Sequence, residues 1–108
     1  MTDPPQGAVD FDYLERFTAG DTQVMTEVLE IFRTQADGWL VGLDSPGDGW
    51  RDLVHLIKGS AKGIGANVLG EIADRAERAD AAMAPEVRAA LLDVLADIEG
   101  YLSRIGGG

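Results

Sequence analysis

The stretch that decides the fold is residues 53–66, LVHLIKGSAKGIGA, which contain the one histidine and both lysines of the chain. On a helical wheel the apolar residues Leu53, Ile57 and Ile64 lie on one side, which predicts a helix that packs against a core. His55 lies on the opposite side, so its imidazole is expected to point into solvent. The pattern therefore predicts an amphipathic helix that presents a single exposed histidine.

The neighbours of His55 on this helix favour an anionic ligand. Arg51, Lys58 and Lys62 lie on the same side of the helix in a chain whose net charge is −10, and such a local cluster of cations attracts anions. Glycine inside a helix costs about 1 kcal/mol relative to alanine, so Gly59, one turn beyond His55, indicates close approach by another molecule. Taken singly, the histidine would be structural and the cations a solvated face. Together they indicate a nucleophile that accepts an anionic group from a docked partner.

These residues match the pattern of a known family. The sequence HxxKGSA at residues 55–61, followed by GA at 65–66 and Leu69, resembles the histidine-containing phosphotransfer (HPt) domains of bacterial two-component phosphorelays. Shorter matches are FxxGD at 17–21, LxxF at 29–32, GDxW at 47–50 and AE at 76–77. The resemblance covers about residues 10–103, nearly the whole chain.

The resemblance implies a specific chemistry for the histidine. His55 would accept a phosphoryl group from the phosphoaspartate of a response-regulator receiver domain, or from a hybrid histidine kinase, and pass it on. Lys58, with Lys62 as a second cation, would offset the phosphoryl charge, and Gly59 would let the receiver domain close over the imidazole. The chain itself would need no cofactor, because the Mg²⁺ ion belongs to the receiver domain. With no glycine-rich ATP-binding segment, it would be a phosphoryl carrier more than an enzyme, without kinase activity of its own.

Composition restricts the function further. The 108 residues are 45% hydrophobic and 26% charged, which is typical of one globular domain. The absence of cysteine excludes disulfides and thiolate chemistry, and a single histidine argues against a zinc site. The net charge of −10 argues against nucleic-acid binding, which requires an extended basic surface. No stretch approaches the length of a membrane span, so we expect no membrane contact and a cytoplasmic location.

Turn residues and apolar spacing predict one short helix and four longer ones. The short helix is predicted at residues 10–18. The second helix begins at an N-cap at residue 21 and ends near residue 43, and the third begins at an N-cap at residue 48 and ends at Gly63 or Gly65. The last two are predicted at residues 67–83 and 85–105. Their short connections imply an all-α fold, an up-and-down antiparallel four-helix bundle with a short extra N-terminal helix. The bundle can satisfy its own apolar stripes, which favours a monomer.

The domain boundaries follow from the same helices. We expect residues 1–8 to be a mobile lead-in, residues 9–105 to form the HPt domain, and residues 106–108 to be a flexible tail. The chain contains no internal repeat.

Two of the longer helices carry side chains that we expect to be buried. On the second helix they form a stripe that Met25 and Leu29 broaden, as packing against two neighbours requires; its other members are Val24, Val28, Ile31, Phe32, Gln35, Trp39 and Leu43. On the fourth they are Val68, Ile72, Ala73, Ala76 and Ala79, a narrow face that permits close packing. The other side of the fourth helix carries Glu71, Asp74, Glu77 and Asp80 among arginines. We interpret it as a solvated surface with weak ion pairs and assign none of its residues to the site. The resemblance also makes Phe17, Val24 and Val28 candidates for partner docking.

Three alternatives to a phosphorelay carrier stay open. The chain could be a helical adaptor that docks on a kinase or receiver domain and inhibits it without being phosphorylated. The joint presence of His55, Lys58 and Gly59 disfavours that alternative, because an adaptor would not need all three. The chain could also be the phosphoacceptor part of a larger histidine kinase, or an unrelated helical bundle, which the length of the match argues against.

Overall fold

A computed structural model describes residues 8–106, and every regular element in this range is helical. The elements are α1 (Phe11–Phe17), α2 (Thr22–Asp44), α3 (Trp50–Ile64), α4 (Asn67–Arg78), a short 3₁₀ turn (Ala81–Met83) and α5 (Ala84–Gly106). The mobile lead-in and the flexible tail predicted from the sequence lie outside the described residues at 1–7 and 107–108. At their inner edges, Ala8 packs against the core and α5 continues through Gly106.

Two of the predicted helix caps are confirmed and one is wrong. The Asp21 side chain accepts hydrogen bonds from the amides of Gln23 and Val24, at 3.0 and 3.2 Å, and so begins α2. Gly65 ends α3 in the left-handed conformation with φ +84°, as a C-terminal glycine is expected to do. Asp48 does not cap α3, because the helix starts after Gly49 without any side-chain hydrogen bond.

The buried side of α2 is narrower than the predicted stripe. Two apolar rows run next to each other along this helix, and the row that begins at Met25 is the buried one. Tyr101 of α5 reaches this row, with its hydroxyl oxygen 3.6 Å from the Met25 sulfur. Ile31, expected in the core, is 59% exposed, and Val24 and Gln35 are exposed as well. The buried residues of α2 are Met25, Leu29, Phe32, Ala36, Trp39 and Leu43.

Helix α4 is shorter than predicted and packs closely on α3. It ends at Arg78, and residues 81–83 form a 3₁₀ turn instead of a continued helix. Its buried residues are small apart from Leu69, whereas Val68 and Ala79, which we expected to be buried, are exposed. The indole nitrogen of Trp50 donates a buried hydrogen bond of 3.1 Å to the carbonyl of Ala76. This contact fixes the start of α3 against the end of α4.

Helix contacts define how the site is supported. Helix α2 contacts α3, α3 contacts α4, and α4 contacts α5; α2 also contacts α5, and α1 packs on α3. The Tyr101 hydroxyl donates to the Glu15 carboxylate at 2.8 Å and so links α5 to α1. No helix in residues 8–106 is both long and apolar enough to pass through a membrane.

Candidate functional site

His55 lies in the middle of α3 with 65% of its side chain exposed. Its position follows from the amphipathic pattern of the helix, since the neighbouring Val54 and Ile57 are completely buried and turn the opposite side outward. The structure thus confirms that the imidazole points into solvent. One turn further along α3, an added Cβ at Gly59 would have no atom within 4 Å, so the surface beside the imidazole is open.

Helix α4 supplies the contact that orients the imidazole. The Nδ1 atom of His55 lies 3.0 Å from the Oε2 atom of Glu77. Only 25% of the Glu77 side chain is exposed, so it does not belong to a solvated surface as the sequence suggested. It lies in the contact between α3 and α4. The AE pair at residues 76–77, part of the family resemblance, was the one sequence signal that pointed to this residue.

Lys58 is paired with carboxylates of α4. Its Nζ atom lies 2.8 Å from Glu77 Oε1 and 3.2 Å from Asp74 Oδ1, and 22% of its side chain is exposed. The contact with Glu77 is an ion pair without good hydrogen-bond alignment, whereas Lys58 donates a hydrogen bond to Asp74. Asp74 in turn accepts a hydrogen bond of 2.9 Å from the guanidinium of Arg78. The ring of free cations expected around His55 is therefore replaced here by a network of alternating charges.

The aliphatic part of Lys62 packs against α4. A Cβ atom added at Gly70 of α4 would come within 3.1 Å of Lys62 Cγ, so the aliphatic part of Lys62 lies across this glycine. The absence of a side chain at Gly70 lets α3 and α4 approach each other. Of the four residues assigned from the sequence, His55 and Lys58 meet through Glu77, Gly59 borders the open surface, and Lys62 packs against α4.

The charged groups of this network stabilise one another's ionised forms. The ammonium of Lys58 and, to a smaller extent, the hydrogen bond from His55 lower the pKa of Glu77, while partial burial acts in the opposite direction. The hydrogen bond from Lys58 is also the main reason why the pKa of Asp74 is lowered. The two carboxylates raise the pKa of Lys58, with Glu77 contributing more than Asp74. All three groups are therefore charged at neutral pH.

The charge state of Glu77 determines the tautomer of His55. An ionised carboxylate can only accept hydrogen bonds, so Nδ1 of the neutral imidazole must carry the proton. The lone pair then lies on Nε2, and no hydrogen bond among the described residues involves that atom. The arrangement presents a nucleophilic nitrogen at the exposed end of a fixed ring. Within residues 8–106, no group of three or more histidine, aspartate or glutamate side chains could hold a metal ion.

Comparison with known proteins identifies the family. No protein-family model matches the chain, and no curated protein matches it significantly. A solved structure does match, that of the histidine phosphotransferase ShpA from Caulobacter crescentus, with 47% sequence identity and a TM-score of 0.83. The match covers 93% of this chain and 95% of that protein. With this identity over almost the full length of both chains, and with an exposed histidine at the spacing of the HPt pattern, this chain belongs to the histidine phosphotransferase (HPt) family.

Proposed function

We propose that this chain relays phosphoryl groups through a phosphohistidine formed at Nε2 of His55. The donor is a hybrid histidine kinase or the phosphoaspartate of a receiver domain, and the acceptor is the aspartate of a response regulator. The observation that carries the proposal is the hydrogen bond between His55 Nδ1 and Glu77, which leaves Nε2 as the exposed nucleophile. A neutral imidazole already carries a free lone pair on Nε2, so no general base is needed.

The transfer step balances without a further reactant. The Nε2 lone pair attacks the phosphorus, the bond between phosphorus and the donor oxygen breaks, and the aspartate leaves as a carboxylate. Because Nδ1 keeps its proton, the phosphorylated ring carries a positive charge that the Glu77 carboxylate, 3.0 Å away, stabilises. Return of the phosphoryl group to an aspartate restores the neutral ring. Glu77 is thus a positioning residue for transfer in both directions.

Lys58 is proposed to neutralise the phosphoryl group. Its ammonium lies on the α4 side of His55 and is paired with Glu77 at 2.8 Å, one helical turn from the imidazole. A rotation of its flexible side chain brings it to phosphoryl oxygens without any movement of the backbone. Lys62, whose stem lies across Gly70, contributes positive charge from a greater distance. The Mg²⁺ ion that assists phosphoryl transfer comes from the receiver domain.

The partner is proposed to dock on the side of His55 that faces away from α4. On this side Gly59 leaves the backbone open and Leu56 is 59% exposed. The same side of α3 adjoins α2, because Leu53 packs within 3.0 Å of the position that a Cβ of Gly42 would take. Further exposed apolar side chains are Ile31 and Val24 on α2 and Phe17 at the end of α1. These residues, rather than the half-buried Val28, are the docking surface that we propose for the receiver domain.

The helix topology, the oligomeric state and the cellular location are part of the same proposal. We propose that α2 to α5 form an up-and-down antiparallel bundle, with α1 as a cap, because consecutive helices are joined by short connections and α5 closes the ring on α2. A monomer and a cytoplasmic location fit a carrier that must meet both donor and acceptor domains by diffusion.

Phosphoryl transfer with a histidine variant tests the function. Wild-type protein and His55→Gln are incubated with a panel of radiolabelled receiver domains and autophosphorylated kinases. We expect an acid-labile, alkali-stable label on the wild type and none on the variant, with identical circular dichroism because His55 is exposed. Label on His55→Gln contradicts the assignment. Tight binding of a donor without any labelled product supports the adaptor instead.

A further inference from the structure

We infer that Asp74 is a positioning residue for phosphotransfer. It holds the Lys58 ammonium on α4 and so reduces the stabilisation that Lys58 gives to a phosphoryl group on His55. The inference rests on the proposed function and deepens it, because it concerns how readily the phosphoryl group is passed on. Neither the sequence pattern nor the family resemblance assigned a role to Asp74. Its contacts are Lys58 on one carboxylate oxygen and Arg78 on the other.

The geometry makes Asp74 a fixed competitor for Lys58. Lys58 Nζ lies 3.2 Å from Asp74 Oδ1 and 2.8 Å from Glu77 Oε1, so two carboxylates of α4 share one ammonium. Asp74 Oδ2 is held at 2.9 Å by Arg78, four residues later on the same helix. The Asp74 carboxylate is thereby held on the α4 side of the Lys58 ammonium. Lys58 must break this pair to reach His55.

Phosphorylation adds a third anion to the competition. A phosphoryl group on Nε2 carries about two negative charges and requires the same ammonium. Asp74 opposes this in two ways, because it attracts Lys58 away from the phosphoryl group and because its own negative charge repels that group. Both effects destabilise the phosphorylated form relative to the free histidine. The lowered pKa of Asp74 keeps its carboxylate ionised at neutral pH, so both effects operate there.

Removal of the Asp74 charge should therefore favour the phosphohistidine. Asp74→Asn keeps the size of the side chain but removes one of the two carboxylates that hold Lys58 on α4. In a mixture with a phosphorylated receiver domain, we expect the equilibrium constant for formation of phosphohistidine to rise about three- to fivefold, the size of effect that partly exposed ion pairs have. Spontaneous hydrolysis of the isolated phosphoprotein should slow in the same variant.

Two further variants show whether the effect passes through Lys58. Glu71→Gln removes the same charge from an exposed position of α4 and touches no ion pair within the described residues, so it should leave the equilibrium at the wild-type value. In a Lys58→Met background, Asp74→Asn should change the equilibrium by less than about twofold, because only the direct repulsion between Asp74 and the phosphoryl group is then removed. An equal effect of Asp74→Asn with and without Lys58 would overturn the positioning role.

A measurement without any phosphoryl donor tests the same contact. The pKa of the Lys58 ammonium, followed by nitrogen NMR, should fall in Asp74→Asn and stay unchanged in Glu71→Gln. If the wild-type protein accepts phosphate but Asp74→Asn changes neither the equilibrium nor the pKa of Lys58, this inference is refuted and the proposed function stands. A wild-type protein that accepts phosphate from no donor refutes the proposed function, and the role of Asp74 with it.

Discussion

The contact between α3 and α4 is built differently from the buried sides of α2 and α5. The two long helices bury large apolar side chains, among them Leu29, Phe32, Leu91 and Ile98. The α3–α4 contact instead uses small residues on α4, such as Gly70 and Ala73, and a network of charges at its outer edge. Small residues bring the two backbones together, and only then can side chains of α4 reach His55. From this difference we expect α2 and α5 to contribute most to stability and α4 to orient the histidine.

The largest expected effect is a loss of stability on the α5 side. Leu91 is completely buried, so Leu91→Ala should lower the free energy of unfolding by about 2–5 kcal/mol, measured by urea denaturation. The neighbouring Leu92 is 40% exposed, and Leu92→Ala is the matched control with a change below about 0.5 kcal/mol. Phosphotransfer per folded molecule should be normal in both. A transfer defect in folded Leu91→Ala would mean that the two regions are not separable.

Larger side chains at buried alanines distinguish the α3–α4 contact from the buried side of α2 more directly. Ala73 on α4 and Ala36 on α2 are both fully buried, so replacement of either by leucine should cost about 1–3 kcal/mol. Only Ala73→Leu should also slow phosphotransfer, because it displaces α4, which carries Glu77. Unfolding curves and transfer rates of the two variants provide the comparison. Equal transfer rates would show that the α3–α4 spacing does not control the histidine.

Removal of Glu77 should affect chemistry more than stability. Glu77→Ala deletes the acceptor that fixes the proton on Nδ1 of His55. Loss of the orienting partner of a metal-bound histidine costs about tenfold or more in activity, and we expect transfer to slow by a similar factor here. Nitrogen NMR of the neutral imidazole should show that the Nδ1–H tautomer is no longer dominant. A variant with wild-type transfer rate and wild-type tautomer would show that the hydrogen bond has no function.

The smallest expected effect concerns docking. Gly59→Glu places a carboxylate on open surface beside His55, so the helix should remain stable while transfer from a receiver domain slows about fivefold through charge repulsion and obstruction. Gly63→Glu adds the same charge in open space two turns from His55 and serves as the control. If both variants behave alike, the receiver domain does not approach over Gly59.

Much of the fold was accessible from the sequence because caps and apolar spacing act locally. Asp21 and Gly65 mark helix ends by their own backbone chemistry, and both predictions are confirmed. On α2 the predicted buried stripe is too wide, because Met25 and Val24 begin adjacent apolar rows and a helical wheel cannot say which of the two rows meets α5. Only the packing of neighbouring helices decides that question.

Part of the candidate site could also be predicted from local sequence patterns. His55 and Gly59 follow from the periodicity of a single helix, which determines what is exposed. Glu77 and Asp74 alternate with arginines along α4 and therefore match the pattern of an ordinary solvated surface. Their role depends on the distance between two helices, which the small residues of α4 control and which no single-helix pattern contains.

The most direct test of the account is phosphorus and nitrogen NMR of the phosphorylated protein with labelled imidazole nitrogens. We expect one phosphorylated residue, His55, with phosphorus coupled to Nε2 and a proton retained on Nδ1 beside Glu77. Phosphorus on Nδ1, or on any other residue, would contradict it, because the hydrogen bond to Glu77 would then not define the nucleophile.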